Sequence, residues 1–150
     1  MYSMYDLNNI NNELEPLKAL ADRELQSIQG LSGTIYTPHI DSYNELCVKK
    51  AKILLALKET GFIPFTDVET ISAKLNVLHN RAKNHKIVEY DGQSYERRFS
   101  PLKLSKSGKI VRKWAKYWLK KTPEGRNDKQ WQAQVREIWP EYFLIKSANF

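Results

Sequence analysis

Residues 97–121, RRFSPLKLSKSGKIVRKWAKYWLKK, carry ten Lys or Arg and no Asp or Glu. That exceeds the net charge of +7 of the whole chain, so the conformation of this stretch decides both the fold and how the charge is presented. As a helix from Lys109 to Lys121, turning about 100° per residue, it puts Lys109, Arg112, Lys113, Lys116 and Lys120 on one stripe. Ile110, Val111, Trp114, Ala115, Trp118 and Leu119 take the other side. One face then packs on a core and the other presents a row of cations.

Upstream of this stretch, Lys86–Tyr90 and Ser94–Phe99 flank Asp91-Gly92, a pair that favours a tight hairpin turn because both central positions need positive φ. The hairpin's second arm ends in Arg97-Arg98, beside the expected basic helix, for which Ser107 is the expected cap. Before the hairpin, Thr66-Asp67-Val68-Glu69 matches a capping box. Val68, Ile71, Leu75, Leu78 and Ala82 follow at three-four spacing and predict one helix to about Asn84. Its outward Arg81 and Lys83 add to the positive surface. Towards the N-terminus, the spacing predicts a helix from Asp41 or Ser42 to about Thr60. Two more helices precede it, one ending near Glu13 and one from Pro16 to Gln29, closed by Gly30 and Gly33. A short extended piece is expected at Thr34–Tyr36. Downstream, TPEGRND at 122–128 is a loop. Asp128 opens a last helix in which Trp131, Val135, Ile138 and Trp139 share a side, and Tyr142–Ile145 is apolar enough to dock. The expected fold is mainly α: a single-domain bundle of about five to six helices with one β-hairpin near 86–99. All four Trp fall in its last two helices, which are expected to pack through their indoles.

Charge is polarised along the chain. Residues 1–45 hold seven acids and two bases, whereas residues 97–123 hold ten bases and no acid. An acidic helical part at about 1–45 and a basic part at about 97–150 therefore mark two functional ends of one domain. No run of eighteen apolar residues predicts a spanning helix, and the first residues lack a basic start and an apolar block. One cysteine, Cys47, excludes an intramolecular disulfide and fits a reducing compartment, with the cytoplasm as the expected location.

Chemistry-bearing clusters are sparse. His79 and His85 fall on opposite faces of a helix, and no Cys or third His supports a metal. His39 stands alone, and Cys47 sits among apolar neighbours. Ser105-Lys106-Ser107-Gly108-Lys109 lacks the first glycine and the strand of a phosphate-binding loop. Asp67 and Glu69 are explained by capping, and Glu89 by a hairpin edge. No catalytic residue, cofactor or metal is expected. The basic run instead suits a polyanion, since each neutralised phosphate releases condensed counterions. Arg97, Arg98, Lys103, Lys106, Lys109, Arg112, Lys113, Lys116, Lys120 and Lys121, with Arg81 and Lys83, are the candidate contacts to a DNA or RNA backbone. A few exposed aromatics are candidates for base stacking.

A small, mostly helical, basic chain without catalytic groups is similar in character to the small helical subunits of CRISPR interference complexes. That resemblance rests on size, helix content and the 97–121 run. It implies an antiviral-defence role: non-catalytic, sequence-independent backbone binding as one subunit of a larger nucleoprotein complex, with the acidic end facing a neighbouring protein. Helices 41–60 and 66–84 with the hairpin also resemble a winged-helix DNA-binding regulator, although the Val68–Ala82 seam runs through the place of its turn. The further alternatives are an inhibitor or adaptor, encoded by a mobile element, that occupies an acidic protein surface, and an interfacial membrane helix.

Overall fold

A computed structural model describes residues 1–31 and 35–145, so the expected helix end at Gly33 and part of the extended piece at Thr34–Tyr36 lie outside the described residues. The chain divides into two compact units, Met1–Pro64 and Phe65–Phe150.

The first unit is a helical hairpin of α1 (Met4–Ile28) and α2 (Pro38–Glu59). Ser3 and Asp6 form a capping box at the start of α1. The expected break at Pro16 does not occur, and α1 runs through it as one helix. An interior proline costs about 3 kcal/mol through its missing N–H and its ring clash. The buried seam spans it, with Ile10 and Leu14 before and Ala21 after, and burial against α2 offsets that cost. Helix α2 begins earlier than expected because Pro38 fills its first turn. The carboxylate of Glu24 accepts from the backbone amides of His39 and Ile40, at 3.2 and 3.1 Å, placing an anion at the helix N-terminus. Ile10, Leu14, Ile53 and Leu57 form this unit's buried core.

The second unit is α+β. Helix α3 (Asp67–Leu78) opens with the expected capping box: Thr66 Oγ1 accepts from Glu69 N at 3.3 Å and Glu69 Oε1 from Thr66 N at 3.0 Å. It stops at His79, short of the expected Asn84, and turns at 79–86 lead into β1 (Ile87–Tyr90). The helix is uninterrupted from Asp67 to Leu78 and lacks the turn that a helix-turn-helix needs. The Asp91-Gly92 turn forms as expected, with φ of 50° and 76°. Its second arm, β2 (Gln93–Leu104), runs past the expected end at Phe99 and pairs with β3 (Val111–Lys121).

The main correction lies here. The segment expected as a basic helix, with Ser107 at its cap, is the edge strand of a three-stranded antiparallel sheet in the order β1-β2-β3. Among the described residues the fold is four α-helices and this sheet, so it is not a mainly-α bundle of five to six helices. The physical reason is composition. Val111, Trp114, Tyr117 and Trp118 favour a pleated, half-buried surface, and β2 offers them a long partner edge. Consecutive residues Tyr117, Trp118 and Leu119 are all buried because both faces of the sheet are covered there. Burial on both faces erases the alternation that marks a strand and leaves a pattern that also fits a helix.

Directly opposed residues share a face of the sheet. One face carries Val88, Tyr95, Arg97 and Trp118 and packs on Val68 and Leu75 of α3. The other carries Glu96, Arg98, Tyr117 and Leu119 and meets a 3-10 turn at Pro140–Phe143. Helix α4 (Lys129–Ile138) is capped by Asp128, as expected. Its Trp131 ring packs 5.3 Å from Tyr95, and Trp131 Nε1 donates to the Trp118 carbonyl at 2.9 Å. The tail docks as expected: Phe143 sits edge-on to Tyr117 at 5.2 Å, and Ser100 Oγ donates to the Tyr142 carbonyl at 2.7 Å.

Candidate nucleic-acid interface

The sheet sorts the twelve candidate cations into three groups. Pro101 and Ala115 are the last buried residues of the β2–β3 ribbon towards its turn. Beyond them Lys103, Lys106, Lys109, Arg112 and Lys113 are all exposed, and none makes an ion pair among the described residues. Register places Lys103 directly opposite Lys113, next to irregularities at Leu102 and Arg112. Trp114, 41 % exposed, stands at the base of this tip.

The second group is structural. Arg97 is 5 % exposed and has no carboxylate partner among the described residues. Its Nη1 donates to Asn76 Oδ1 at 2.8 Å, and its guanidinium lies 4.8 Å from the Trp118 ring centre. Burial pulls its pKa below the ordinary value. Lys121 Nζ is 2.8 Å from Glu96 Oε1, and Arg98 Nη1 is 3.8 Å from the same oxygen. His85 Nδ1 is 3.0 Å from Glu96 Oε2. Burial acts to raise the Glu96 pKa, but the hydrogen bonds from Lys121 and His85 and the charges of Lys121 and Arg98 outweigh it and hold the carboxyl below its ordinary range. Lys116 lies over the Phe99 ring at 5.0 Å, and Lys120 is half-buried opposite Tyr95.

The third group, Arg81 and Lys83, is exposed on the turns before β1 and lines a depression of about 440 Å³ with His79, Lys86 and Val88. These turns flank β2 at Arg97 and Phe99, where the His85 amide donates to the Arg97 carbonyl and Asn84 Oδ1 accepts from the Phe99 amide. Leu104 is five residues beyond Phe99 along β2, roughly 17 Å at a strand's rise. The twelve cations therefore do not form one stripe. The five at the ribbon tip come together as a free basic surface.

The other residues considered for chemistry stand apart. His79 caps α3 and meets Trp118 edge-on at 6.3 Å. Cys47 is half-buried beside Tyr43, whose phenol is pushed up to about 12 by burial and then by the neighbouring thiol. No group of three His, Cys, Asp or Glu among the described residues is placed to hold a metal ion. Loss of the 109–121 helix also removes the interfacial helix considered for a membrane surface. No helix of the described residues is long and apolar enough to cross a membrane.

Sequence reasoning missed Asn76, which accepts from both Arg97 and, at 2.9 Å, the Trp118 indole N–H. It also missed the pairing of Lys103 with Lys113, which only the strand register reveals. No protein family, curated protein or solved structure matches this chain.

Proposed function

We propose that the chain binds nucleic-acid backbone, without catalysis and largely without reading sequence, through the tip of the β2–β3 ribbon. The observation that carries this is the juxtaposition of five exposed, unpaired cations within residues 103–113, two of them directly opposed across the strands. Like charges in opposed positions destabilise a ribbon, so nothing in the folding of the hairpin accounts for them. A polyanion relieves that repulsion and gains entropy from the counterions it releases. A two-stranded ribbon also fits the major groove of duplex DNA, where phosphate contacts set position and carry no direct sequence information.

The acidic residues 1–45 repel the same polyanion. They form the part of the chain left for protein neighbours in a larger nucleoprotein complex, a class that includes CRISPR interference complexes.

The test is binding to unrelated single- and double-stranded DNA and RNA across a salt series. Each phosphate contact contributes about 0.9 to the log–log salt slope on duplex DNA, so Lys106→Ala, Lys109→Ala and Lys113→Ala together should flatten it by about 2.7. Lys113→Glu separates binding from folding. It converts the opposed pair into an attractive one, worth about 0.2–1 kcal/mol of ribbon stability, while weakening binding to every sequence alike. A chain whose affinity and slope survive these changes does not bind through the ribbon tip.

A further inference from the structure

A second basic site lies in a cleft bounded by β2, β3, α4 and the 140–143 turn. The cleft has a volume of about 450 Å³, within the range that holds small ligands. Its polar lining includes Arg98, Arg136, Asn127, Gln132 and the Tyr117 edge, and no carboxylate of the described residues lines it. Glu96 is bonded to Lys121 and His85 and lies 3.8 Å from Arg98 Nη1, so Arg98 shares that carboxylate with two other partners. The Nε of Arg98 is buried and finds no acceptor among the described residues. Arg136 is held in place by the Phe143 face, 4.4 Å from its guanidinium carbon. Both guanidiniums act on the same phenol: burial raises the Tyr117 pKa, and Arg98 and Arg136 each oppose that rise. Asn127 Oδ1 accepts from Lys121 Nζ at 2.7 Å, which leaves the amide NH₂ as a donor. The cleft thus presents two guanidinium forks and donor amides over an aromatic wall.

We infer that this cleft binds the phosphate monoester of a nucleotide-sized ligand, with Arg98 and Arg136 taking the phosphate. Guanidinium forks match phosphate oxygens bidentately, and a partly enclosed site keeps that attraction from being screened. The amides and aromatic wall supply hydrogen bonds and apolar contact for the rest of the ligand. Free nucleotide and the phosphorylated end of a strand share this chemistry. The site stands on the cleft alone and does not rest on the ribbon.

The experiment is calorimetric titration of the full chain, at fixed moderate salt, with inorganic phosphate, AMP, adenosine, and an oligothymidylate carrying either a 5′-phosphate or a 5′-hydroxyl. Phosphate-bearing ligands should bind and adenosine should not. Arg136→Gln, at an exposed position on α4, should weaken AMP roughly 10- to 100-fold, as loss of a charged hydrogen bond does. Arg98→Gln should do the same in any preparation whose circular dichroism matches the parent. The ribbon triple variant should bind AMP as the parent does, so failure of the ribbon proposal and failure of this one are separable. Preference for AMP over the 5′-phosphorylated oligonucleotide assigns the site to free nucleotide, and the reverse assigns it to a strand end. Absence of binding by every phosphate ligand, equal binding of the 5′-phosphate and 5′-hydroxyl strands with no AMP binding, or AMP binding unmoved by Arg136→Gln overturns the inference.

Discussion

Asn76→Ala removes one carbonyl oxygen that serves two buried donors. Asn76 Oδ1 accepts from Arg97 Nη1 at 2.8 Å and from Trp118 Nε1 at 2.9 Å. Trp118 is fully buried and Arg97 nearly so. A buried donor left without a partner costs about 1–3 kcal/mol, and more when it is charged. Asn76 itself lies towards solvent, so water recovers part of the loss and places the sum near 2–4 kcal/mol. Alanine returns roughly 0.6 kcal/mol through its better helix propensity. The net expectation is a loss of about 2–3 kcal/mol. Urea unfolding followed by tryptophan fluorescence is the right assay, because all four Trp lie in residues 114–139 and report on the second unit alone. The midpoint should fall with the slope unchanged. A cycle with Arg97→Met adds a sharper test. Without the guanidinium, the penalty for Asn76→Ala should shrink by about 1 kcal/mol or more, since the two residues are in contact. A penalty below about 0.5 kcal/mol, or one indifferent to Arg97, would show that Asn76 does not anchor the buried cation.

Glu96→Gln should destabilise the second unit by about 1–3 kcal/mol at neutral pH through weakened bonds to Lys121 and His85. Because the folded carboxyl titrates below its ordinary value, its contribution is complete above an unfolded pKa of about 4.3. It is lost as pH falls through the lower folded value, so stability measured against pH should drop there for the parent and much less for the variant. Thr66→Ala removes half of the capping box and should cost about 1 kcal/mol, read as a lower urea midpoint. Thr66→Ser, which keeps the hydroxyl, should recover most of it.

The sequence made local signals legible and hid those that depend on a distant partner. The Thr66–Glu69 capping box, the Asp91-Gly92 turn and the Asp128 cap are each complete within a few residues and all form. Pro16 misled because the rule for an interior proline is local, whereas the burial that overrides it comes from α2. Residues 111–121 misled for a related reason. Their stripe at helical spacing is real, but the choice between helix and strand was decided by β2, which supplies a partner edge and a second covered face. The five tip cations were all among the expected contacts, yet their separation from Arg97, Lys120 and Lys121 follows from register. Arg136 carried no signal, since it sits in a tail where acids and bases balance.

The outer margin of β3 has its own consequence. Its carbonyls at Trp118 and Lys120 are occupied by the Trp131 indole and the Asp128 amide. By alternation, the same margin at Trp114 and Lys116 has no strand beside it among the described residues. An open margin of this kind invites a second chain to add its own strand, and long cationic side chains are a common guard against that. The lysines and arginines of β3 therefore act as such a guard, whatever else they contact. Replacing all of them with alanine would disarm the guard and favour aggregation, which charge reversal avoids.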